Sequence, residues 1–286
     1  MPAAPLRLIV LARDQSPRVQ DEWKSLAAFL ANRGDVEIAA ASVTEDLDFE
    51  MVDADLSVVL GGDGAILRAC RQMGKRQLPI LGVNLGRLGF LADLSPAEFR
   101  QQIEAIVTRQ YRVVDHLMFE CTHHRLDGSS ESWLGLNEVA VVSGGSLEMI
   151  PVQLWIDGGL VTTYSSDGLI ISTPVGSTAH SLSAGGPILR QDMQAFVVTP
   201  ICPHTLSNRP IVDRADYVYT MLLEDVPDGV RLVIDGQISR PARSGDRIEV
   251  RQSDVSFRLA RMPGDGFYSS LQRKLGWGGQ PRYQPK

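Results

Sequence analysis

An aspartate within a glycine-rich turn is the strongest candidate for chemistry in this sequence. Residues 61–64 read Gly-Gly-Asp-Gly, between the apolar run Leu56–Leu60 and a helical pattern that starts at Ala65. Glycines let the backbone approach phosphate groups, and a helix N-terminus favours their charge. A carboxylate repels a phosphate by about 1 kcal/mol at 4 Å in water. Asp63 therefore suits this place if it binds a metal or accepts a hydroxyl proton in phosphoryl transfer.

A second segment, residues 165–191, combines an apolar strand with small hydroxyl side chains. Leu169–Ile171 is the strand, and the hydroxyl residues that follow it are Ser177, Thr178, Ser181 and Ser183. Backbone N–H groups and hydroxyls exposed together suit a ligand rich in oxygen, such as a ribose or a phosphate. An ordinary Ser/Gly-rich turn is the competing interpretation.

Two polar residues, Asn137 and Glu138, stand between apolar neighbours. Buried polar side chains need partners, and a nucleoside offers them: an amide can contact an adenine edge, and a carboxylate can accept ribose hydroxyls. A hydrogen-bonded pair at a strand end is the competing interpretation. Arg68 and Arg87 are candidate charge partners for phosphates, and Arg87 belongs to a second glycine-rich turn that follows Val83.

Composition narrows the class of protein. The chain has 286 residues, 44% of them hydrophobic and 22% charged, which is typical of one large or two ordinary soluble domains. A net charge of −6 argues against nucleic-acid binding. The apolar run Leu6–Ala12 is too short for a membrane span. Three scattered cysteines predict reduced thiols in the cytoplasm, and the adjacent His123 and His124 would point to opposite faces of a strand rather than form a metal site.

The pattern of elements changes after Tyr111. Before it, strands alternate with helices, one of them running from Ser95 to about Arg109, which predicts a parallel sheet flanked by helices. After it, short strand-like runs such as Trp133–Val142 and 255–260 are separated by Asp-Gly turns, which predicts a β-rich, sandwich-like domain. We expect domains at 1–110 and 111–260, and a tail at 261–286 that packs back on the first domain and frays at its end.

These runs together closely resemble the NAD kinase family. The resemblance covers nearly the whole chain in the right order, and the segments that carry it are Gly61–Gly64, Asn84–Leu91, Asn137-Glu138, Asp167–Pro187, Thr199–Pro210 and Asp235–Gln237. The first of them is shared with diacylglycerol and sphingosine kinases and with phosphofructokinases, whereas the later ones are more specific.

The resemblance implies an α/β N-terminal domain, a β-rich C-terminal domain and a homo-oligomer, a dimer or tetramer, and we expect the protein in the cytoplasm. It implies transfer of the γ-phosphoryl group of ATP to the 2′-hydroxyl of the adenosine ribose of NAD, with a divalent cation, Mg²⁺, bound with ATP. Asp63 would accept the proton, and no residue is assigned as a metal ligand. The residues expected to bind the nucleotides are Gly61, Gly62, Asp63, Gly64, Arg68, Asn137, Glu138, Asp167, Thr178, Ala179, His180, Ser181, Ser183 and Gln237.

The chain departs from the family pattern at several positions, namely Ala65, Glu148, Ser165, Val175 and His180. Three of these, at 148, 165 and 180, touch the expected substrate pocket, so the choice between NAD and NADH and between ATP and polyphosphate stays open.

Two other functions also stay open. A lipid kinase shares the first motif, although the hydroxyl-rich residues 177–183 argue against an acyl chain. A non-catalytic dinucleotide sensor would fit the departures, although it would gain nothing from Asp63.

Overall fold

The chain divides into two compact units. The computed structural model describes residues 4–12, 16–42, 47–49, 51–86, 89–144, 148–204, 208–264 and 267–276. The N-terminal unit comprises Met1–Val114 together with Arg258–Lys286, and the C-terminal unit comprises Asp115–Phe257. Three sequence expectations therefore lie wholly or partly outside the described residues: the role of Arg87, part of the run 199–210, and the end of the tail.

Eighteen strands, six α-helices and one short 3₁₀ helix (Gly176–Thr178) lie within the described residues. The strands are β1 (Leu6–Ala12), β2 (Val36–Ser42), β3 (Leu56–Leu60), β4 (Ile80–Val83), β5 (Arg112–His116), β6 (Phe119–His124), β7 (Ser130–Gly135), β8 (Glu138–Val142), β9 (Ile150–Ile156), β10 (Gly159–Ser166), β11 (Gly168–Ser172), β12 (Ala195–Ile201), β13 (Ile211–Arg214), β14 (Tyr219–Leu222), β15 (Arg231–Ile234), β16 (Ile238–Pro241), β17 (Arg247–Gln252) and β18 (Phe257–Arg261). The helices are α1 (Pro17–Ala31), α2 (Asp63–Met73), α3 (Pro96–Gln101), α4 (Ile103–Val107), α5 (His180–Ser183) and α6 (Phe267–Leu275). None of these helices is long and apolar enough to cross a membrane.

The N-terminal unit is built on a six-stranded sheet in the order β2-β1-β3-β4-β18-β5. Strands β1, β2, β3, β4 and β18 pair in parallel, as strand–helix alternation predicts. Helix α1 buries Val19, Leu26 and Leu30, which share one helical face and pack against strand residues such as Val10. Sequence pattern groups the run 255–260 with the antiparallel strands, whereas the structure places β18 beside β4 in this sheet.

The C-terminal unit contains two antiparallel six-stranded sheets. Their orders are β10-β9-β14-β17-β6-β7 and β13-β12-β11-β8-β15-β16. Side chains from both sheets form one buried cluster, with Phe119, Val139, Leu169, Phe196 and Tyr219 among its members. This arrangement confirms the prediction of a β-rich, sandwich-like domain.

Two predicted elements are interrupted. The helix expected from Ser95 to about Arg109 starts at a Ser95–Glu98 capping box but breaks into α3 and α4 at Gln102. The run Trp133–Val142 is not one strand, because β7 ends at Gly135 in one sheet and β8 begins at Glu138 in the other. The chain thus changes sheets at Leu136 and Asn137, and this change of sheet separates the two polar residues from β7.

The central strand β11 yields a test of the C-terminal unit. A Cβ at Gly168 would lie 2.4 Å from the Val141 carbonyl oxygen and 3.2 Å from Val142 Cα, both of them backbone atoms of β8. We expect Gly168→Ala to lower the free energy of unfolding by about 1–3 kcal/mol, because the sheet must shift to make room. Gly34→Ala is the control, since no atom lies within 4 Å of a Cβ there. Equal denaturation midpoints for the two variants would contradict this packing.

Candidate active site

The glycine-rich turn lies between β3 and α2. Gly61 has φ of 146°, a conformation that L side chains rarely adopt, and a Cβ on it would lie 2.8 Å from Ala65 Cβ. Its N–H donates to the Val83 carbonyl at 2.9 Å, which ties the turn to β4. Gly62 is the N-cap of α2, and Asp63 is the first helical residue. The turn therefore presents a helix N-terminus at the carboxyl end of a parallel strand, where sheets of this kind bind ligands.

The Asp63 carboxylate is enclosed by the backbone of residues 89–92. Its Oδ2 accepts from Phe90 N at 2.7 Å, and its Oδ1 accepts from Leu91 N at 3.0 Å and Ala92 N at 3.3 Å. A Cβ on Gly89 would lie 1.9 Å from Oδ1, so the carboxylate occupies the space that a side chain there would need. These contacts hold Asp63 in one orientation at the start of α2.

The C-terminal unit has a comparable arrangement around Asp235. This buried carboxylate lies in the turn between β15 and β16, at φ of 51°, and accepts hydrogen bonds from Leu136 N, Asn137 N and Glu138 N over distances of 2.7–3.2 Å. Its own N–H donates to the Glu138 carbonyl at 2.9 Å. Asp235 thus fixes the backbone at the point where the chain changes sheets.

Glu138 is the least satisfied carboxyl group of this region. The residue is 4% exposed, and its Oε2 has no hydrogen-bond partner among the described residues. Burial, with a smaller contribution from the negative charge of Asp235, raises the pKa of the Glu138 carboxyl from 4.5 to about 8. An oxygen of this kind can accept a hydrogen bond from a ligand hydroxyl, which would replace the water lost on folding.

The hydroxyl-rich segment packs around the same end of β8. Thr173 N donates to the Asn137 carbonyl at 2.9 Å, and the Thr173 hydroxyl donates to the Leu136 carbonyl. Three of the four hydroxyls singled out from the sequence have partners within the C-terminal unit: Ser177 with Pro174 O and Leu189 N, Thr178 with Val175 O, and Ser181 with the Thr199 hydroxyl. These three hydroxyls therefore help to shape the segment.

The remaining expected residues of the C-terminal unit fall into two places. His180 and Ser183 lie exposed on α5, with half-buried Ala179 immediately before it, and half-buried Gln237 belongs to the Asp235 turn. Asp167 is exposed at the opposite end of β11, because Gly168 pairs with Val142 whereas Ser172 pairs with Glu138. A five-residue strand spans about 16 Å, so one nucleoside does not reach both ends.

The described residues contain no group of three or more His, Cys, Asp or Glu side chains placed to hold a metal ion. His123 is fully buried, and its Nε2 pairs with Asp246 Oδ2 at 2.8 Å. His124 is half-buried on the same strand. Any catalytic cation would need further ligands, for which the phosphate oxygens of a nucleotide are suited.

Comparison with known proteins decides the family. Residues 14–111 match the model of the ATP-NAD kinase N-terminal domain, and residues 136–262 match that of the ATP-NAD kinase C-terminal domain. The chain is 42% identical to an NAD kinase of Rhodopirellula baltica over 96% of this chain and 88% of that protein. It is 38% identical to an NAD kinase of Geotalea daltonii over 95% of this chain and 99% of that protein.

This chain belongs to the ATP-NAD kinase family. Solved structures agree with the fold. A crystal structure of yeast NADH kinase complexed with NADH matches with a TM-score of 0.89 at 23% identity, over 98% of this chain and 90% of that one. An NAD kinase from Archaeoglobus fulgidus in complex with ATP matches with a TM-score of 0.72 at 28% identity, over 95% and 98% of the two chains. The predicted two-domain NAD kinase architecture is confirmed.

Sequence reasoning located the motifs of the family but missed some of the residues that hold them in place. Asp235 was visible as part of an Asp-Gly turn and of the Asp235–Gln237 motif, but neither showed that its carboxylate fixes residues 136–138. Gly89 carried no signal of its close approach to Asp63. Lys274, whose Nζ lies 3.7 Å from Asp63 Oδ2, is more than 200 residues away along the chain and stood outside every motif. Arg68 is half-buried on α2.

The raised pKa of Glu138 predicts a stability that depends on pH. The pKa of Glu138 is higher in the folded protein than in the unfolded chain. The stability that this group contributes is therefore fully present below about pH 4.5 and is lost as the pH rises towards 8. The loss is on the order of 4 kcal/mol by linkage. We expect Glu138→Gln to flatten this fall when unfolding free energies are measured from pH 5 to 8. Glu148→Gln, at an exposed position, is the control; parallel curves for wild type and Glu138→Gln would contradict the shift.

Proposed function

We propose that this protein phosphorylates the 2′-hydroxyl of the adenosine ribose of NAD with ATP, giving NADP and ADP. Asp63 accepts the hydroxyl proton as the ribose oxygen forms a bond to the γ-phosphorus and the bond from that phosphorus to the β–γ bridging oxygen breaks. The observation that carries this proposal is the position of the Asp63 carboxylate. Asp63 is the first residue of a helix that follows a glycine-rich turn, and its carboxylate accepts hydrogen bonds from the backbone N–H groups of residues 90–92. Membership of the ATP-NAD kinase family supports it.

The donor phosphates suit the glycine-rich turn. Gly61, Gly62 and Gly64 carry no side chain that would keep a phosphate away, and the N-terminus of α2 favours negative charge. Arg68 follows on the same helix and would add positive charge. The A. fulgidus relative was solved in complex with ATP, which supports ATP as the donor here.

The acceptor suits the C-terminal unit. Asn137 would contact the adenine edge, and the unsatisfied carboxyl of Glu138 would accept the ribose hydroxyls. The exposed side chains of His180 and Ser183, with Ala179 and Gln237, would line the same region, while Thr178 and Ser181 maintain its shape. Asp167 would contact the far part of the ligand, because a dinucleotide is long enough to extend along β11 whereas a single nucleoside is not.

A divalent cation, Mg²⁺, would enter with ATP. The residues described here provide no cluster of three or more ligands for it, so the phosphate oxygens would supply most of the coordination. The chemistry that the cation supplies is neutralisation of charge on the transferred phosphoryl group. Coordination mainly by phosphate oxygens agrees with the state of Asp63, because its carboxylate already accepts hydrogen bonds from backbone N–H groups.

We also propose a cytoplasmic homo-oligomer that functions in NADP biosynthesis. None of Cys70, Cys121 and Cys202 forms a disulfide, which is typical of a reducing compartment. Strand β10 lies at the edge of its sheet and exposes Leu160 and Val161. An exposed apolar edge strand offers unpaired backbone groups with which another chain can pair.

Asp63→Asn is the direct test of the catalytic base. The amide keeps the shape of the carboxylate but does not take a proton, so we expect kcat to fall by about 10²–10⁴-fold. NAD affinity, measured by calorimetry, should change little, because the acceptor groups lie in the C-terminal unit. The assay couples NADP to an NADP-specific dehydrogenase, with NADH tested in parallel. Full turnover by this variant would exclude Asp63 as the base.

Gly89→Ala tests the confinement of that carboxylate. The added Cβ would lie 1.9 Å from Asp63 Oδ1, so either the side chain or the loop must move. We expect a fall in kcat of about 10²-fold, as for a misplacement of about 1 Å in other enzymes. Gly86→Ala is the matched control in the same turn, where the nearest atom lies 4.0 Å from the added Cβ. Similar rates for the two variants would show that the position of Asp63 does not limit the reaction.

A further inference from the structure

A lysine from the C-terminal helix lies beside the candidate base. Lys274 is in the last turn of α6, and its Nζ lies 3.7 Å from Asp63 Oδ2 and 3.5 Å from the centre of the Phe90 ring. Its side chain is only 13% exposed. Phe90 N donates to the same carboxylate oxygen, so the ammonium group is held between the base and the loop that fixes the base.

The hydrogen bonds of Asp63 leave one position for a further donor. An ionised carboxylate offers about four acceptor sites, and the N–H groups of Phe90, Leu91 and Ala92 use three of them. Lys274 is close enough for an ion pair but too distant for a hydrogen bond. The remaining site is the one that a substrate hydroxyl would need, and Lys274 lies next to it.

The same distances place Lys274 within reach of the transferred group. A base lies about 3 Å from the hydroxyl oxygen whose proton it takes, and that oxygen lies about 3–3.5 Å from the phosphorus it attacks. The γ-phosphoryl group must therefore come within about 6 Å of Asp63 during the reaction. The Lys274 ammonium group lies 3.7 Å from Asp63 on a flexible side chain, so it can contact the γ-phosphoryl oxygens.

The positive charge of Lys274 explains what a contact with the γ-phosphoryl group would contribute. Phosphoryl transfer is catalysed largely by cations and donors aimed at the phosphoryl oxygens, yet residues 61–64 contain no basic side chain. Burial lowers the pKa of the Lys274 ammonium, whereas the negative charges of Asp63 and Asp93 act in the opposite direction. A partly dehydrated ammonium interacts more strongly with phosphate than one in bulk water does.

We propose that Lys274 is a further catalytic residue, whose ammonium group binds the γ-phosphoryl oxygens of the donor nucleotide beside Asp63. This proposal rests on the proposed function for its reaction, but its binding step needs only a nucleoside triphosphate. The competing role is structural, in which the ion pair merely holds α6 on the N-terminal unit. Because Lys274 contacts both Asp63 and Phe90, the test must separate phosphate binding from helix docking.

The first experiment compares Lys274→Met with Arg273→Met, an exposed neighbour on the same helix. Binding of the non-hydrolysable ATP analogue AMP-PNP with Mg²⁺ is measured by calorimetry, and turnover by NADP formation. We expect Lys274→Met to weaken AMP-PNP binding about tenfold and to lower kcat by about 10²-fold. NAD affinity and Tm should match those of Arg273→Met, and Lys274→Arg should restore most of the AMP-PNP affinity. Values for Lys274→Met within about twofold of Arg273→Met would overturn the proposal.

A double variant tests the ion-pair explanation even if Lys274→Met is unstable. In the Asp63→Asn background the ion pair is already lost and the contact with Phe90 remains, so a lysine that acts only through the ion pair would no longer affect AMP-PNP binding. A further loss of about tenfold on adding Lys274→Met supports phosphate binding, and no further loss overturns it. Wild-type protein that makes no NADP but whose AMP-PNP affinity depends on Lys274 would refute the proposed function while supporting the phosphate contact.

Discussion

A buried or half-buried carboxylate needs hydrogen-bond donors, and this constraint organises the candidate residues of each unit. Asp63 takes three consecutive backbone N–H groups from residues 90–92, and Asp235 takes three from residues 136–138. In each case a loop is tied to a turn distant in sequence. Removing the partner of a buried charge costs on the order of 3–5 kcal/mol. Moving residues 90–92 or 136–138 away from these carboxylates would therefore destabilise the protein. These two sets of hydrogen bonds hold the candidate residues of each unit in position.

Glu138 is a buried carboxyl group for which the nearby backbone provides too few hydrogen-bond donors. Asp235 uses the nearby N–H groups, including that of Glu138 itself, and the Glu138 side chain keeps an oxygen without a partner in the described residues. The same burial that raises its pKa leaves an acceptor available to a ligand hydroxyl. Stability is therefore lower here than a fully satisfied site would allow, which is a common property of binding sites.

Hydrogen bonds within the C-terminal unit shape the hydroxyl-rich segment after β11. Most of its hydroxyls bond within the C-terminal unit, and Ser181 with Thr199 is a fully buried example. Small side chains are needed because the segment packs tightly: a Cβ on Gly176 would lie 2.1 Å from the Asn137 carbonyl oxygen. The exposed polar groups, His180 and Ser183, are at the surface of a segment whose shape is set by the buried ones.

The sequence by itself determined the order of elements, the two-domain family architecture and the motifs at Asp63, Asn137 and Asp167, because strand and helix periodicity and glycine-rich turns are local properties of the chain. It did not determine the break at Gln102, the placement of β18 in the parallel sheet, or the change of sheet at Leu136. Tertiary structure alone decided that Gly89 makes room for Asp63, that Asp235 fixes residues 136–138 and that Lys274 lies beside Asp63. These contacts join residues that are distant along the chain, and they arise from close packing and from the need of buried charges for donors, neither of which leaves a periodic trace in sequence.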